Sequence, residues 1–342
     1  MKRLRHLALA VSLGALALTG CSTGSTDSDE TASRASTKAD SGAYPVTIEH
    51  AFGSTTIEKE PTRVATLGWS DQDHALALGV VPVGATKLTW GGNSAGSSDW
   101  FDSQVEEAGA KAPVRYDDAD GAPVDEIAKL GPDLILATNS GITKQEYAKL
   151  SKIAPVVAYP EAPWVTPWQT SLETVGKALG RTDEAAEVEK STQEEIDAAR
   201  EKYSDLAGKK MIFGYLSTAD LSTIGIYAPQ DPRVSFMHDL GLEDAPSVAS
   251  AIKPGQFYGT VSAERASTLK SDVFLTWAEN AGDMKTFTEN ALLGKIPAIA
   301  SGNAYAEAHK PIALAVTNPT PLSIPVIIEE FLPEVDKAVQ GS

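Results

Sequence analysis

Short apolar stretches alternate with amphipathic stretches along most of the chain from Val64 onward. The apolar stretches have the length of buried strands, and the stretches between them have the spacing of helices. This alternation predicts an α/β fold built on mainly parallel sheets. The predicted strands are residues 64–67, 81–85, 133–138, 156–159, 211–216, 272–277 and 304–308, and the predicted helices between them are 71–78, 124–130, 143–153, 231–240 and 262–269, with a closing helix at 322–339 and a hairpin at 46–57.

The alternation stops once, in the middle of the chain. Residues 168–179 are predicted to form one helix, and residues 183–203 a longer helix capped by Thr182, with a single apolar stripe on a mostly charged surface. About 21 residues at 1.5 Å each give a length of roughly 30 Å. We therefore expect two α/β lobes joined by one long helix. The predicted boundaries are an N-terminal lobe at 44–180, a linker helix at 181–206 and a C-terminal lobe at 207–342.

The N-terminus has the pattern of an export signal. Three basic residues precede an apolar run at 7–18, which is too short to span a bilayer. The run ends in Leu-Thr-Gly-Cys, which resembles the lipobox of bacterial lipoproteins, where the cysteine thiol is lipidated and the peptide bond before it is cut. The sequence predicts a signal peptide at 1–20, lipidation of Cys21, and an extracytoplasmic protein anchored to the cell membrane by lipid.

The segment that follows is polar. Residues 22–43 are mostly Ser, Thr, Asp, Gly and Lys, so they bury too little apolar surface to offset the entropy of folding. We predict a disordered tether at 21–43. Because Cys21 is the only cysteine, the processed chain has no disulfide, zinc-thiolate site or thiol nucleophile.

The chain is strongly acidic. Its formal net charge is −17, and loss of three basic residues with the signal leaves 26 Lys and Arg against 46 Asp and Glu, a charge of −20. Such a surface repels nucleic acid and gains nothing from anionic lipids, so the membrane is expected to be contacted through the lipid anchor alone. Its electrostatic field favours neutral or cationic ligands and basic partner surfaces.

A weak internal repeat supports two equivalent lobes. Residues 124–136 and 261–275 each begin with a helix start that carries a glutamate, Glu126 or Glu264, and continue through Leu-x-x-Asp into a buried strand. An acidic residue in the first turn of a helix also has a local role, since it opposes the helix dipole.

Four local sequences in this order resemble the iron-siderophore substrate-binding lipoproteins of ABC importers. They are 63–73, 131–136, 231–234 and 261–265, and the resemblance extends from residue 46 to the C-terminus. This group has a helical linker and also contains vitamin B12 and haem binders. The resemblance implies a ligand bound in a shallow cleft between two lobes with little hinge motion. It also implies that Glu126 and Glu264 pair with arginines of the permease dimer. We expect the protein to be a monomer.

The cleft is expected at the carboxyl ends of the strands, where aromatic residues are frequent. Trp and Tyr offer a flat apolar face with a polar tip, which suits a bulky organic chelate. Arg233 lies at a predicted helix start, where a capping salt bridge is its alternative role. Candidates at strand ends are Trp69, Trp90, Asn139, Trp164, Tyr215, Tyr227, Phe257, Tyr258 and Trp277, and candidates to bond chelate oxygens are Arg115, Arg233 and Asn318.

The expected function is capture of a ferric siderophore and its delivery to a permease, without catalysis and without a cofactor. The negative charge favours a neutral or cationic hydroxamate chelate, and the protein would not ligate the iron, because the chelator fills the coordination sphere. Haem or a corrinoid is an alternative ligand for the same fold. Direct zinc or manganese binding needs convergent histidines, and a secreted hydrolase lacks a Gly-x-Ser-x-Gly, His-Glu-x-x-His or phosphate-loop motif here. The histidines of the processed chain are His50, His74, His238 and His309.

Overall fold

Two sheets form the centres of two lobes in the computed structural model, which describes residues 38–253 and 255–341. The predicted signal peptide, Cys21 and residues 21–37 of the predicted tether lie outside the described residues. Within the described part of the chain, no helix combines the length and the apolar character that a membrane span requires.

The N-terminal lobe contains an antiparallel hairpin and a five-stranded parallel sheet with the order β5-β4-β3-β6-β7. Strand β3 is central, and its Ala65 lies opposite Gly84 on one side and Ile135 on the other. The elements are β1 Val46–His50, β2 Gly53–Ile57, β3 Val64–Thr66, α1 Asp71–Ala77, β4 Gly84–Thr86, α2 Asp99–Glu107, β5 Val114–Tyr116, α3 Val124–Leu130, β6 Leu134–Ala137, α4 Lys144–Leu150 and β7 Val156–Ala158.

Two helices, α5 Trp168–Leu179 and α6 Thr182–Lys202, follow this sheet. Helix α6 has the predicted length of 21 residues. The predicted cap is wrong, because Thr182 is the first helical residue and no side chain caps the helix from position 181. Instead, the Asp40 carboxylate accepts hydrogen bonds from the backbone N–H groups of Thr182 (2.8 Å) and Asp183 (3.4 Å), where a negative charge also opposes the helix dipole.

The C-terminal lobe contains a mixed sheet with the order β11-β9-β8-β12-β13, and β10 also pairs with β8. Strands β8, β10, β12 and β13 are parallel, whereas β9 and β11 run antiparallel to their neighbours. The two-lobed α/β fold predicted from the sequence is confirmed. The elements are β8 Lys210–Ser217, β9 Asp220–Tyr227, α7 Pro232–Asp239, β10 Glu243–Asp244, α8 Val248–Ala251, β11 Tyr258–Ser262, β12 Val273–Trp277, α9 Asp283–Glu289, α10 Pro297–Ala300, β13 Ala304–Glu307 and α11 Lys310–Thr317.

Two predicted helices differ from the structure. The predicted α-helix at 262–269 is a 3₁₀ helix, Ala263–Thr268, because its buried residues Ala263 and Ala266 are three positions apart and a threefold period places both against the core. The predicted closing helix contains a π-helical turn, and Pro333 lies in the first turn of the α-helix that follows it, where proline is tolerated. Its parts are α12 Ile324–Val326, the π turn Ile327–Phe331 and α13 Leu332–Gln340.

Buried polar groups join the lobes at helix α1. Asp73 is 2% exposed, and its Oδ2 accepts hydrogen bonds from Trp100 Nε1 (2.8 Å) and Thr320 Oγ1 (2.9 Å). Thr320 follows α11 in the chain, so this contact connects the C-terminal segment to the N-terminal lobe. Burial raises the pKa of Asp73 to about 6 despite both hydrogen bonds.

A close backbone approach holds the loops that follow β3 and β6 together. Gly68 has φ +79°, and a Cβ atom there would lie 2.3 Å from the backbone oxygen of Asn139. Only glycine fits this conformation and this distance without strain. The pairing of the loops therefore depends on the absence of a side chain at position 68.

Replacing Gly68 by alanine is expected to lower the free energy of unfolding by about 2–4 kcal/mol, because the methyl group adds a clash to the cost of a positive φ. The matched control is Gly109→Ala, since Gly109 also has a positive φ (+61°) but has open space around its Cβ position. We expect this control to cost about 1 kcal/mol. Chemical denaturation measures both values, and equal losses would contradict the proposed close approach.

Asp73→Asn tests the cost of the buried carboxylate at the lobe junction. A pKa of about 6, against an ordinary 3.8, means that the fold favours the protonated acid, so wild-type stability falls as pH rises from about 4 to about 6. Asparagine does not titrate, so its advantage over aspartate should grow by about 3 kcal/mol over this range. Urea denaturation of both proteins at pH 4 and pH 7 measures this difference. A constant difference would contradict the assignment.

Candidate functional site

A cavity of about 240 Å³ opens between the two lobes. Two tryptophans form its wall on the N-terminal lobe, and the start of α7 and the end of α11 form the opposite wall. The residues that line it are Trp69, Trp164, Asp231, Pro232, Arg233, Phe257, Thr317 and Asn318. Five of the residues predicted from the sequence are therefore brought together here: Trp69, Trp164, Arg233, Phe257 and Asn318.

Both tryptophans are placed by backbone geometry at strand ends. Trp69 directly follows Gly68, in the loop between β3 and α1. Trp164 has φ +63°, a left-handed conformation that costs a non-glycine residue about 1 kcal/mol or more. Its indole covers Gly141, where a Cβ atom would lie 2.5 Å from Trp164 Nε1. The left-handed backbone at Trp164 and the absence of a side chain at Gly141 together allow the Trp164 ring to lie in the wall of the cavity.

On the opposite wall, Arg233 is held by the N-terminus of α7. Asp231 Oδ1 accepts hydrogen bonds from the backbone N–H of Arg233 (3.1 Å) and from its Nε (2.6 Å). The guanidinium carbon lies 3.8 Å from the ring centroid of Tyr227 and 6.0 Å from that of Trp277. Burial alone would lower the pKa of Arg233, but the charge of Asp231 and the contact with Tyr227 outweigh it and raise that pKa. Arg233 therefore stays cationic at 12% exposure.

The capping salt bridge named as an alternative for Arg233 is present, and it does not remove the side chain from the cavity. A guanidinium has five N–H donors in a fixed plane, and the bond from Nε to Asp231 occupies one of them. The same contact fixes the plane on the Tyr227 ring. The salt bridge thus positions the group that faces the cavity.

A row of aromatic residues extends from Arg233 along the sheet of the C-terminal lobe. The rings of Tyr227 and Tyr258 are 5.4 Å apart, and the Tyr258 hydroxyl covers Gly225. Tyr215 pairs with Gly225 across β8 and β9 and is 39% exposed. These three tyrosines continue the aromatic surface beyond the residues that line the cavity.

Trp277 and Trp90 lie behind the cavity wall. Their ring centroids are 6.4 Å apart, and Trp277 is 5% exposed and packs on Phe213 at 5.1 Å. Neither of these predicted residues lines the cavity; Trp277 lies beside Arg233, and Trp90 contacts Trp277. Trp90 thereby connects the N-terminal lobe to the ring that lies beside Arg233.

An amide pair joins the two lobes at Asn318, one of the residues that line the cavity. Asn139 Nδ2 donates to Asn318 Oδ1 at 3.4 Å, and Asn318 ends helix α11. Asn139 is 3% exposed, and its Oδ1 has no hydrogen-bond partner among residues 38–253 and 255–341. Asn139 is not itself among the residues that line the cavity, so it acts there through Asn318.

Arg115 is not brought to this cavity. Its guanidinium donates to Gln72, to Ser97 and to the backbone oxygen of Thr86, and it lies 5.1 Å from the Phe101 ring centroid. The physical reason is topological, because β5 is the outermost strand and β4 separates it from β3. Burial lowers the pKa of Arg115, although the charges of Asp102 and Asp73 oppose this effect.

The other candidates lie elsewhere. Glu126 and Glu264 are exposed in the first turns of α3 and of the 3₁₀ helix. Among the described residues, no three His, Cys, Asp or Glu side chains are grouped so that they could hold a metal ion. His50 hydrogen-bonds Thr55 at 2.9 Å, and His74 is buried with a pKa lowered to about 3. These findings leave the zinc and manganese alternative without a site in the described chain.

Three residues that line the cavity were not predicted from the sequence: Asp231, Pro232 and Thr317. The first two had a readable signal, because an aspartate followed by a proline is a common start of a helix. Asp231 is the N-cap residue and Pro232 the first residue of α7. Thr317 carries no such signal, since its place depends on how α11 packs.

The finished site can hold a bulky molecule by stacking and by hydrogen bonds to oxygen atoms. Its polar groups are the guanidinium of Arg233, the amide of Asn318 and the hydroxyl of Thr317, while the Asp231 carboxylate is paired with Arg233. The flat rings of Trp69, Trp164 and Phe257 provide the apolar contact. This is the composition of a site for binding a ligand.

Known proteins share this architecture. The chain is 25% identical over 317 residues to a probable siderophore-binding lipoprotein, YfiY, of Bacillus subtilis (strain 168), covering 89% of this chain and 90% of that protein. The structure is similar to that of PiaA of Streptococcus pneumoniae TIGR4 in complex with ferrichrome, with 38% identity, a TM-score of 0.83 and coverage of 87% of this chain and 99% of that one. A periplasmic solute binding protein of Mycobacterium smegmatis is 31% identical with a TM-score of 0.72, covering 86% of this chain and 98% of that one.

The family resemblance predicted from the sequence is confirmed by these comparisons. A family model described as periplasmic binding protein matches residues 64–307, which include both sheets and every lining residue except Thr317 and Asn318. The matched residues make up more than half of the chain, and the similarity to PiaA covers 87% of it. The chain therefore belongs to the periplasmic binding protein family.

Proposed function

We propose that this chain is the substrate-binding lipoprotein of an ABC importer and captures a ferric siderophore in the cavity between its lobes. The observation that carries the proposal is the cavity itself, where Trp69, Trp164 and Phe257 face Arg233 and Asn318. A siderophore chelate has an apolar exterior with exposed oxygen atoms, and this lining complements both. The similarity of this chain to YfiY, a probable siderophore-binding lipoprotein, and to PiaA in complex with ferrichrome supports the same ligand class.

The proposed ligand is a neutral or cationic hydroxamate chelate. Arg233 is the one cationic side chain among the residues that line the cavity, and Asp231 balances its charge. A highly anionic chelate would need several cations to replace its water. The net charge of −17 adds an unfavourable long-range field for anions.

The proposed capture leaves the iron with its chelator. Indole and phenyl faces supply contact area, the guanidinium of Arg233 donates to chelate oxygens, and the amide of Asn318, which Asn139 holds by a hydrogen bond, fixes the orientation. None of these groups needs to displace an oxygen from the iron. The protein therefore acts as a carrier, and we propose no catalytic step.

Delivery to the membrane completes the proposal. Glu126 and Glu264 are exposed at equivalent helix starts of the two lobes, which suits contact with basic groups of a two-fold permease. Lipidation of Cys21 would hold the protein at the membrane, outside the cytoplasm, with the following polar segment as a tether. We propose that the protein acts there as a monomer.

Replacing Trp164 by leucine tests the binding site. Loss of the indole face is expected to weaken binding of ferrioxamine by about tenfold, since an aromatic contact of this kind is worth roughly 1 kcal/mol or more beyond its buried area. Isothermal titration calorimetry measures the affinity without depending on the fluorescence of the replaced residue.

The matched control is Phe52→Leu. Phe52 contacts the rings of Tyr147 and Tyr159 in the core of the N-terminal lobe and does not line the cavity. This change should leave the affinity within about twofold of wild type. If Trp164→Leu bound as tightly as Phe52→Leu, the cavity would not be the siderophore site.

Charge reversal at both rims tests the docking contact. The double variant Glu126→Lys, Glu264→Lys should reduce siderophore uptake by whole cells at least tenfold, because two attractive pairs with the permease become repulsive. Its affinity for ferrioxamine in solution should match that of wild type, since both residues are exposed and remote from the cavity lining. Unchanged uptake would reject the docking role.

A further inference from the structure

A second cavity, of about 430 Å³, is lined on both walls of the cleft by residues that are next in the chain to lining residues of the first cavity. On the N-terminal lobe, Val165 of the second cavity follows Trp164 of the first, and on the C-terminal lobe Gln230 precedes Asp231. On each wall, therefore, one residue lines the first cavity and its neighbour in the chain lines the second. We call this second space the outer cavity; it is lined by Pro160, Glu161, Ala162, Val165, Thr166, Pro167, Thr170, Gln230 and Gly255.

The lining of the outer cavity is apolar with a single charged group. Two of its polar side chains already make hydrogen bonds within the protein. Thr166 Oγ1 donates to the backbone oxygen of Thr138 at 2.7 Å, and Gln230 Nε2 donates to the backbone oxygen of Gln256 at 2.9 Å. Glu161 is exposed and makes no hydrogen bond or ion pair with the residues that the structure describes. Its carboxylate is therefore available to a ligand.

We propose that the outer cavity takes an aliphatic arm of the bound siderophore that ends in an ammonium group. The methylene groups of such an arm would lie against proline, alanine and valine side chains, which favours them over water. Its ammonium would reach the carboxylate of Glu161. The inference rests on the proposed function, because the arm can enter only when the chelate occupies the first cavity.

Other groups fit the outer cavity less well. An anionic arm would meet Glu161 and the negative field of the whole chain. A closed ring without an arm would leave the apolar wall in water and gain nothing from the carboxylate. The geometry thus selects linear, amine-terminated hydroxamates among the chelates that the first cavity accepts.

The test compares ferrioxamine B, which carries an aminopentyl arm, with its N-acetylated derivative, whose arm is neutral. Isothermal titration calorimetry at low salt gives the ratio of the two affinities for each protein. We expect wild type to prefer the free amine by about threefold, the range for a partly exposed ion pair. Glu161→Gln should bring the ratio to about one, and Glu161→Lys should invert it.

The control is Glu106→Gln, which removes one exposed carboxylate from α2, outside both cavities. It should keep the wild-type ratio, so a fall in the ratio there would assign the preference to the overall charge and overturn the inference. An unchanged ratio in Glu161→Gln, or equal wild-type affinities, would also overturn it and leave the proposed function intact. If wild type bound neither chelate, the proposed function itself would fail.

Discussion

Burial of the polar helix α1 between the two lobes is the constraint on which the rest of the structure depends. Asp71 accepts hydrogen bonds from the backbone N–H and the hydroxyl of Thr138, which fixes the end of β6. Asp73, two residues later, accepts from Thr320 of the C-terminal segment. Burial raises the pKa of Asp71 to about 7, so the fold holds this acid at a cost that the hydrogen bonds only partly offset. The result is a fixed relation between the loops that carry Trp69 and Asn139 and the opposite lobe.

A cleft fixed in this way binds by preorganisation. The apolar core runs from β3 and β6 through α5 and α6 into β8, β12 and the closing helix, so the lobes share one packed interior. Arg233 is likewise held before any ligand arrives, by Asp231 on one side and by Tyr227 on the other. Groups already in place lose little entropy on binding, which increases the affinity that a small contact area can provide.

The sequence predicted the parts of this structure that depend on local periodicity. The alternation of apolar strands and helices, the 21-residue helix α6 and the aromatic strand ends all lie near their predicted positions. Strand β9 was not predicted, because Asp220, Ser222 and Thr223 break its apolar run. The position of Arg115 could not be read from its residue type, since it depends on the order of strands in the sheet. Long-range packing decides such features, and one sequence does not encode them in a local pattern.

We propose that the cleft binds a ferric hydroxamate as the intact chelate. The most direct measurement is intrinsic tryptophan fluorescence of the chain from residue 22 onward, titrated with ferrioxamine, a ferric catecholate, haem, cobalamin, zinc and manganese. Two of the six tryptophans, Trp69 and Trp164, line the cavity, so a coloured chelate bound there should quench them. If the cleft binds ferric hydroxamates, ferrioxamine should quench saturably at submicromolar concentration, and zinc and manganese should not quench at all. Quenching by haem, cobalamin or the bare ions, with no response to ferrioxamine, would show that the cleft has another ligand.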